Sequence, residues 1–117
     1  MKSDTETVFD KIMRREIPAD IVYETEQVLG FKDINPQAPV HVLFIPKKRI
    51  PTVNDMQVED APLVGALFLA AADYARQIGV SEAGYRLVMN CNDHGQQTVP
   101  HIHLHFLAGR QMQWPPG

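Results

Sequence analysis

The sequence predicts an α+β domain, a five-stranded antiparallel sheet carrying two helices. Most of its regularly patterned segments are short and β-branched or alternating, and two helical segments are inserted among them without the one-for-one alternation of a parallel fold. The third observation is the run His101-Ile102-His103-Leu104-His105-Phe106-Leu107. Histidine takes every second place and bulky apolar residues the others, the period of a strand with one polar and one apolar face.

The elements follow in chain order. Polar residues 1–7 are expected to be disordered and residues 8–117 to form one domain. Val8, Phe9, Ile12 and Met13 recur at helical spacing, with Arg14 and Arg15 at the C-terminal dipole and Pro18 as the stop. Ile21 to Thr25 and Gln27 to Asp33 read as a tight hairpin, and Asn35-Pro36-Gln37-Ala38-Pro39 as a loop, because two prolines break any ladder. Val40 to Ile45 is a mostly apolar, central strand ended by Pro46, and Pro51 to Val58 is irregular or a single helical turn. From Glu59 a long helix shows the stripe Leu63, Leu67, Ala71, Tyr74, Ala75 and Ile78, with Pro62 in its first turn and Gly79 placed to cap it. Val64, Phe68 and Leu69 widen that stripe, which suggests burial against the sheet on one side and a second subunit on the other. Tyr85 to Asn90 and Pro100 or His101 to Ala108 complete a meandering sheet.

Composition narrows the function. With 117 residues, 44% hydrophobic and 21% charged, the chain can bury a core and is neither disordered nor membrane-embedded. Its longest apolar run, near Leu63 to Ala72, is too short for a bilayer, so no membrane partner is expected. A net charge of -3 argues against a nucleic-acid polymer, whose phosphates demand excess lysine and arginine. Cys91 is the only cysteine and no signal peptide opens the chain, so a soluble, cytoplasmic protein is expected.

On one strand face, neighbouring imidazoles would stand about 7 Å apart and the outer pair twice that. Two could share a metal, but a tetrahedral zinc with bonds near ~2.0 Å does not easily collect all three. The row suits an extended phosphate ester or anhydride better. Imidazole, with an ordinary pKa near ~6.5, supplies both a neutral nucleophile and a cationic proton donor at neutral pH. Three readings stay open on spacing alone: catalysis, a metal-binding strand with His94 joining His101 and His103, and satisfied core or surface histidines.

The segment Gly95-Gln96-Gln97-Thr98-Val99-Pro100-His101-Ile102-His103-Leu104-His105 resembles the signature of the histidine triad (HIT) superfamily, and its surroundings resemble the histidine triad nucleotide-binding (HINT) branch. Phe9 to Ile12, Glu16 to Ala19, Phe31 to Pro39, His41 to Lys48 and the tail Gly109 to Gly117 extend the likeness over nearly the whole chain. The resemblance implies a HIT-like fold whose sheet continues across a homodimer, with residues 109–117 reaching the partner's active site. It further implies a hydrolase that cleaves purine nucleoside 5′-monophosphoramidates through a nucleotidyl-histidine. A dinucleoside polyphosphate hydrolase and a nucleotide-binding scaffold with vestigial turnover are the alternatives.

Residue by residue, the resemblance makes His103 the nucleophile and His105 a contact of the α-phosphate. His101 orients its neighbours, His41 completes a hydrogen-bond relay, and Thr98 bonds the leaving group. Asp33 would hold the ribose hydroxyls, Asn90, Gln96 and Gln97 would lie near phosphate, and Phe9, Ile12, Phe31 and Ile34 would enclose the purine. Trp114 would touch the leaving group from the partner protomer. No cofactor and no metal are expected: Asp10 lies where some bacterial relatives carry paired cysteines. Four departures stand out. Gln96 replaces a common glycine, Pro100 a common tyrosine, at the loss of one ladder donor, and Cys91 and His94 are unusual in their loop.

Overall fold

The computed structural model describes residues 6–117. In chain order they form α1 (Val8–Met13), β1 (Ile21–Glu24), β2 (Val28–Lys32), β3 (Val40–Pro46), α2 (Ala61–Ile78), β4 (Arg86–Val88) and β5 (Leu104–Ala108), with 3-10 turns at Val53–Asp55, Val58–Asp60 and Asp93–Gly95. Of the expected disorder over residues 1–7, the first five lie outside the described residues. Thr7 is a buried N-cap: its hydroxyl accepts from the Phe9 and Asp10 amides while Asp10 returns a bond to the Thr7 amide.

All strand pairs are antiparallel, in the order β1-β2-β3-β5-β4. This corrects the expected meander. The α2 crossover carries the chain past a vacant position, β4 takes the edge with only part-buried residues, and β5 returns to fill the gap beside β3.

Each face of the sheet has its own core. Val28, Val42, Phe44, Leu104 and Phe106 pack on one side with Leu67, Ala71, Tyr74 and Ala75 of α2. Leu29, Phe31, Leu43 and Ile45 pack on the other with Phe9 and Ile12 of α1. Gly30 permits the tightest crossing, since a Cβ there would lie 2.8 Å from the Phe44 ring. The long helix ends as expected on Gly79, whose φ of 77° is the left-handed conformation of a C-terminal cap. Phe68 and Leu69 of α2 remain exposed. No helix among the described residues is long and apolar enough to cross a membrane.

The last strand begins at Leu104, later than the expected Pro100 or His101, and the fourth is confined to Arg86–Val88. His101 to His103 keep the alternation without being in the ladder, because their segment is tied to a loop: the Ile102 amide donates to the Ile50 carbonyl. Position 100 therefore lies outside the ladder, and Pro100 removes no ladder donor there.

Candidate active site

The α1 face of the sheet carries a cleft of about 300 Å³. Phe9, Ile12, Phe31, Ile34 and Leu43 line its apolar part, and Asp33, Thr98, His103 and His105 its polar part. The α1 capping box holds Phe9 in place, and the Phe9 ring meets the rings of Phe31, His101 and His103 edge-on. Ile34, at 99% exposure, stands free on the rim.

Backbone partners settle the proton positions on the imidazoles. The His103 Nδ1 lies 2.8 Å from the His101 carbonyl, which can only accept, so Nδ1 carries the proton and Nε2 keeps its lone pair. The Gln37 amide donates to the His41 Nδ1 at 3.0 Å, which leaves the proton of that ring on Nε2. Nε2 in turn donates to the His105 Nδ1 at 2.9 Å, and His105 must carry its own proton on Nε2. One ring thus offers a nucleophilic lone pair, and the next, 5.0 Å away between centroids, offers an N–H donor.

His101 does something else. It is 0% exposed, its Nε2–H donates to the Pro46 carbonyl at 2.8 Å, and its Nδ1 has no protein partner. Its backbone carbonyl, rather than its ring, is the group that meets the His103 Nδ1.

Burial lowers the pKa of all four histidines in this region. For His105, desolvation with His103 and His41 alongside pushes it down to about 4. The row is therefore neutral at pH 7, as the tautomers require.

Asp33, His41 and His105 offer ligand atoms within 4.8 Å of one another, close enough for a metal. The chemistry of the donors does not fit one. Metal-bound imidazole needs a lone pair on the ligating nitrogen, with its other nitrogen donating outward. At His41 the bond from Gln37 imposes the reverse. The Asp33 carboxylate instead accepts from the Asn35 amide at 2.8 Å and faces the His41 Nε2 at 3.5 Å.

Not every expected residue reaches the cleft. Gln97 is a brace: its amide nitrogen donates to the Pro51 and Val99 carbonyls and its oxygen accepts from the Asn92 amide. Asn90 backs Gly95, and Gln96 sits in the left-handed region at φ 59° on the same loop; neither lines the cleft. Trp114 is 81% exposed and also outside it. Conversely, Val8, Pro18, Ala19, Lys32, Leu43 and Val99 line the cleft without having been singled out for it. Only Leu43 carried a usable signal, its alternation with inward Val42 and Phe44 along β3.

The sequence model of the HIT domain matches residues 14–112. The chain is 54% identical to the purine nucleoside phosphoramidase of Escherichia coli (strain K12) over 107 residues, 92% of this chain and 90% of the relative. It is 53% identical to an uncharacterized HIT-like protein of Synechocystis, covering 96% and 97% of the two chains. Among solved structures, a HIT family hydrolase from Legionella pneumophila superposes with a TM-score of 0.93 at 52% identity, over 96% of this chain and 100% of the other. One from Clostridium thermocellum does so with a TM-score of 0.89 at 45% identity, over 92% and 94%.

Proposed function

Since the chain belongs to the HIT domain family, we propose that it is a hydrolase of purine nucleoside 5′-monophosphoramidates, releasing the nucleoside monophosphate and an amine. The observation that carries this reading is the neutral His103, with its Nε2 lone pair fixed beside the N–H donor of His105 in a cleft that also has an apolar slot. The E. coli relative, a purine nucleoside phosphoramidase by name, supports the substrate class.

His103 Nε2 attacks phosphorus, a P–N bond to the histidine forms, and the bond to the amine nitrogen breaks with its electron pair leaving on that nitrogen. Water then attacks phosphorus, and the P–Nε2 bond returns its pair to His103. Over the two steps one water is consumed, its hydroxyl going to phosphorus and a proton to the amine. His105 Nε2–H donates to a phosphate oxygen throughout, held by His41 behind it. Thr98 bonds the leaving group, Asp33 the ribose hydroxyls, and Phe9, Ile12, Phe31 and Ile34 take the base. Asn90 and the Gln96 backbone contribute at the phosphate end once substrate is bound.

The proposal includes a homodimer, in which the exposed Phe68 and Leu69 of α2 are covered and Trp114 enters the partner's cleft. It also includes a cytoplasmic setting, in keeping with the free thiol of Cys91.

Wild type and His103→Ala are to be incubated with an adenosine phosphoramidate carrying a fluorescent amine, with chelator present. Amine release that persists in chelator and falls at least about 1,000-fold in the variant is expected. Release unaffected by the substitution, or restored only by added metal, would sink the mechanism. A dinucleoside polyphosphate as competing substrate tests the nearest alternative, and faster cleavage of it would replace the phosphoramidase reading.

A further inference from the structure

Three observations meet at the loop of residues 35–39, whose Gln37 amide fixes the His41 tautomer. The first is that packing holds this loop at Ala38 alone. Asn35, Pro36, Gln37 and Pro39 are exposed, and a cleft of about 320 Å³ lies behind Pro36 and Pro39, walled on its far side by Tyr74, Ile78 and Val80. The second is a bidentate grip from the start of the C-terminal tail. Arg110 Nε and Nη2 donate to the Gln37 carbonyl at 3.2 and 3.1 Å. The third is a backbone contact: Gly109, at φ 96°, lies so near Pro39 that a Cβ would stand 2.9 Å from the Pro39 Cβ.

We propose that Gly109 and Arg110 form a positioning latch for the histidine relay, holding the Gln37 amide on His41 so that His105 presents its Nε2–H to the substrate phosphate. The chain of contacts is continuous. Arg110 holds Gln37, Gln37 donates to His41, and His41 donates to His105. Without the latch the loop can settle into the space behind it. His41 Nδ1 then loses its donor, and either ring nitrogen can carry the proton. The wrong tautomer turns a lone pair toward His105 Nδ1, and His105 no longer presents Nε2–H in a fixed direction. Neither latch residue touches substrate in this arrangement. Their effect belongs to the chemical step, with nucleotide affinity left alone, and the inference rests on His41 and His105 acting as the relay of the proposed hydrolase.

The full chain, labelled with 15N-histidine, would be compared with Arg110→Met and Gly109→Ala by long-range 1H–15N spectra of the ring nitrogens. Turnover of the fluorogenic phosphoramidate is measured alongside. Wild type should show His41 as a single Nε2–H tautomer and the variants a mixture. In the variants kcat should fall about tenfold with KM nearly unchanged, and Arg110→Lys, which keeps one donor within reach of the carbonyl, should recover part of the loss. Arg110 is exposed, so Arg110→Met carries the decision if Gly109→Ala does not fold. His41 nitrogen shifts identical to wild type in the folded variants would overturn the latch. A wild type that turns over no phosphoramidate would defeat the functional reading, while altered His41 shifts in Arg110→Met would still uphold the latch.

Discussion

At the scale of single residues, the site depends on imidazoles that stay neutral. In the unfolded chain they take up protons near pH ~6.5, whereas in the fold burial delays this, for His105 until about 4. Between those values the unfolded state binds more protons than the native one, so stability falls as pH drops from 7 toward 4. The penalty is absent above the unfolded value and levels off below the folded one. Urea midpoints measured across this range should show the fall, and His105→Asn should make it shallower; an unchanged slope would remove His105 from the account. Gln96 gives a second prediction at this scale. Its φ of 59° and ψ of 41° cost an L side chain about 1 kcal/mol that glycine does not incur. Gln96→Gly should raise the melting temperature by a few degrees. The need for glycine there was legible in the resemblance, and the strain agrees with it. The role of Gln97 was not legible, because its amide bonds the Pro51 carbonyl, 46 positions away in sequence.

At the scale of elements, α1 shows how local chemistry shapes the cleft. Six residues are too few for an autonomous helix, so its stability comes from the Thr7–Asp10 capping box and from burying Phe9 and Ile12. Thr7→Ala should cost about 1 kcal/mol in chemical denaturation. Because Phe9 and Ile12 are also the proposed base wall, it should raise KM for the phosphoramidate more than it lowers kcat. The reverse pattern would mean that α1 supports the histidines more than the base. The elements most legible in the sequence were those whose period reports burial directly: the apolar run of β3 and the α2 stripe, with Gly79 as its stop. The start of β5 was not. Alternation records an extended backbone with two unlike faces, and His101 to His103 have that without ladder partners. The placing of β5 between β3 and β4 was equally hidden, since no local pattern records which strand lies beside which.

At the scale of the whole molecule, two of the exposed apolar features among the described residues lie on α2 and on the tail. Phe68 and Leu69 are an exposed pair on the helix that covers one face of the sheet, and Trp114 projects beyond a tail held at Arg86, which donates to the Gln113 carbonyl at 2.8 Å. If dimerisation covers both, each cleft is completed by the other protomer's tryptophan, and damage to the nucleophile and damage to the tail become separable by mixing. A His103→Ala homodimer should be inactive, and a Trp114→Ala homodimer should be slow on substrates with a bulky amine. When the two are unfolded together and refolded, mixed dimers contain one cleft with an intact His103 served by an intact Trp114. Activity per intact His103 should then exceed that of Trp114→Ala alone, approaching wild type in the mixed fraction. Simple averaging of the parent activities would mean that Trp114 serves its own cleft or none. Mass spectrometry of the refolded mixture must show mixed dimers for that second reading to hold. The expected gain requires that the tail cross between protomers, a property no single chain can display.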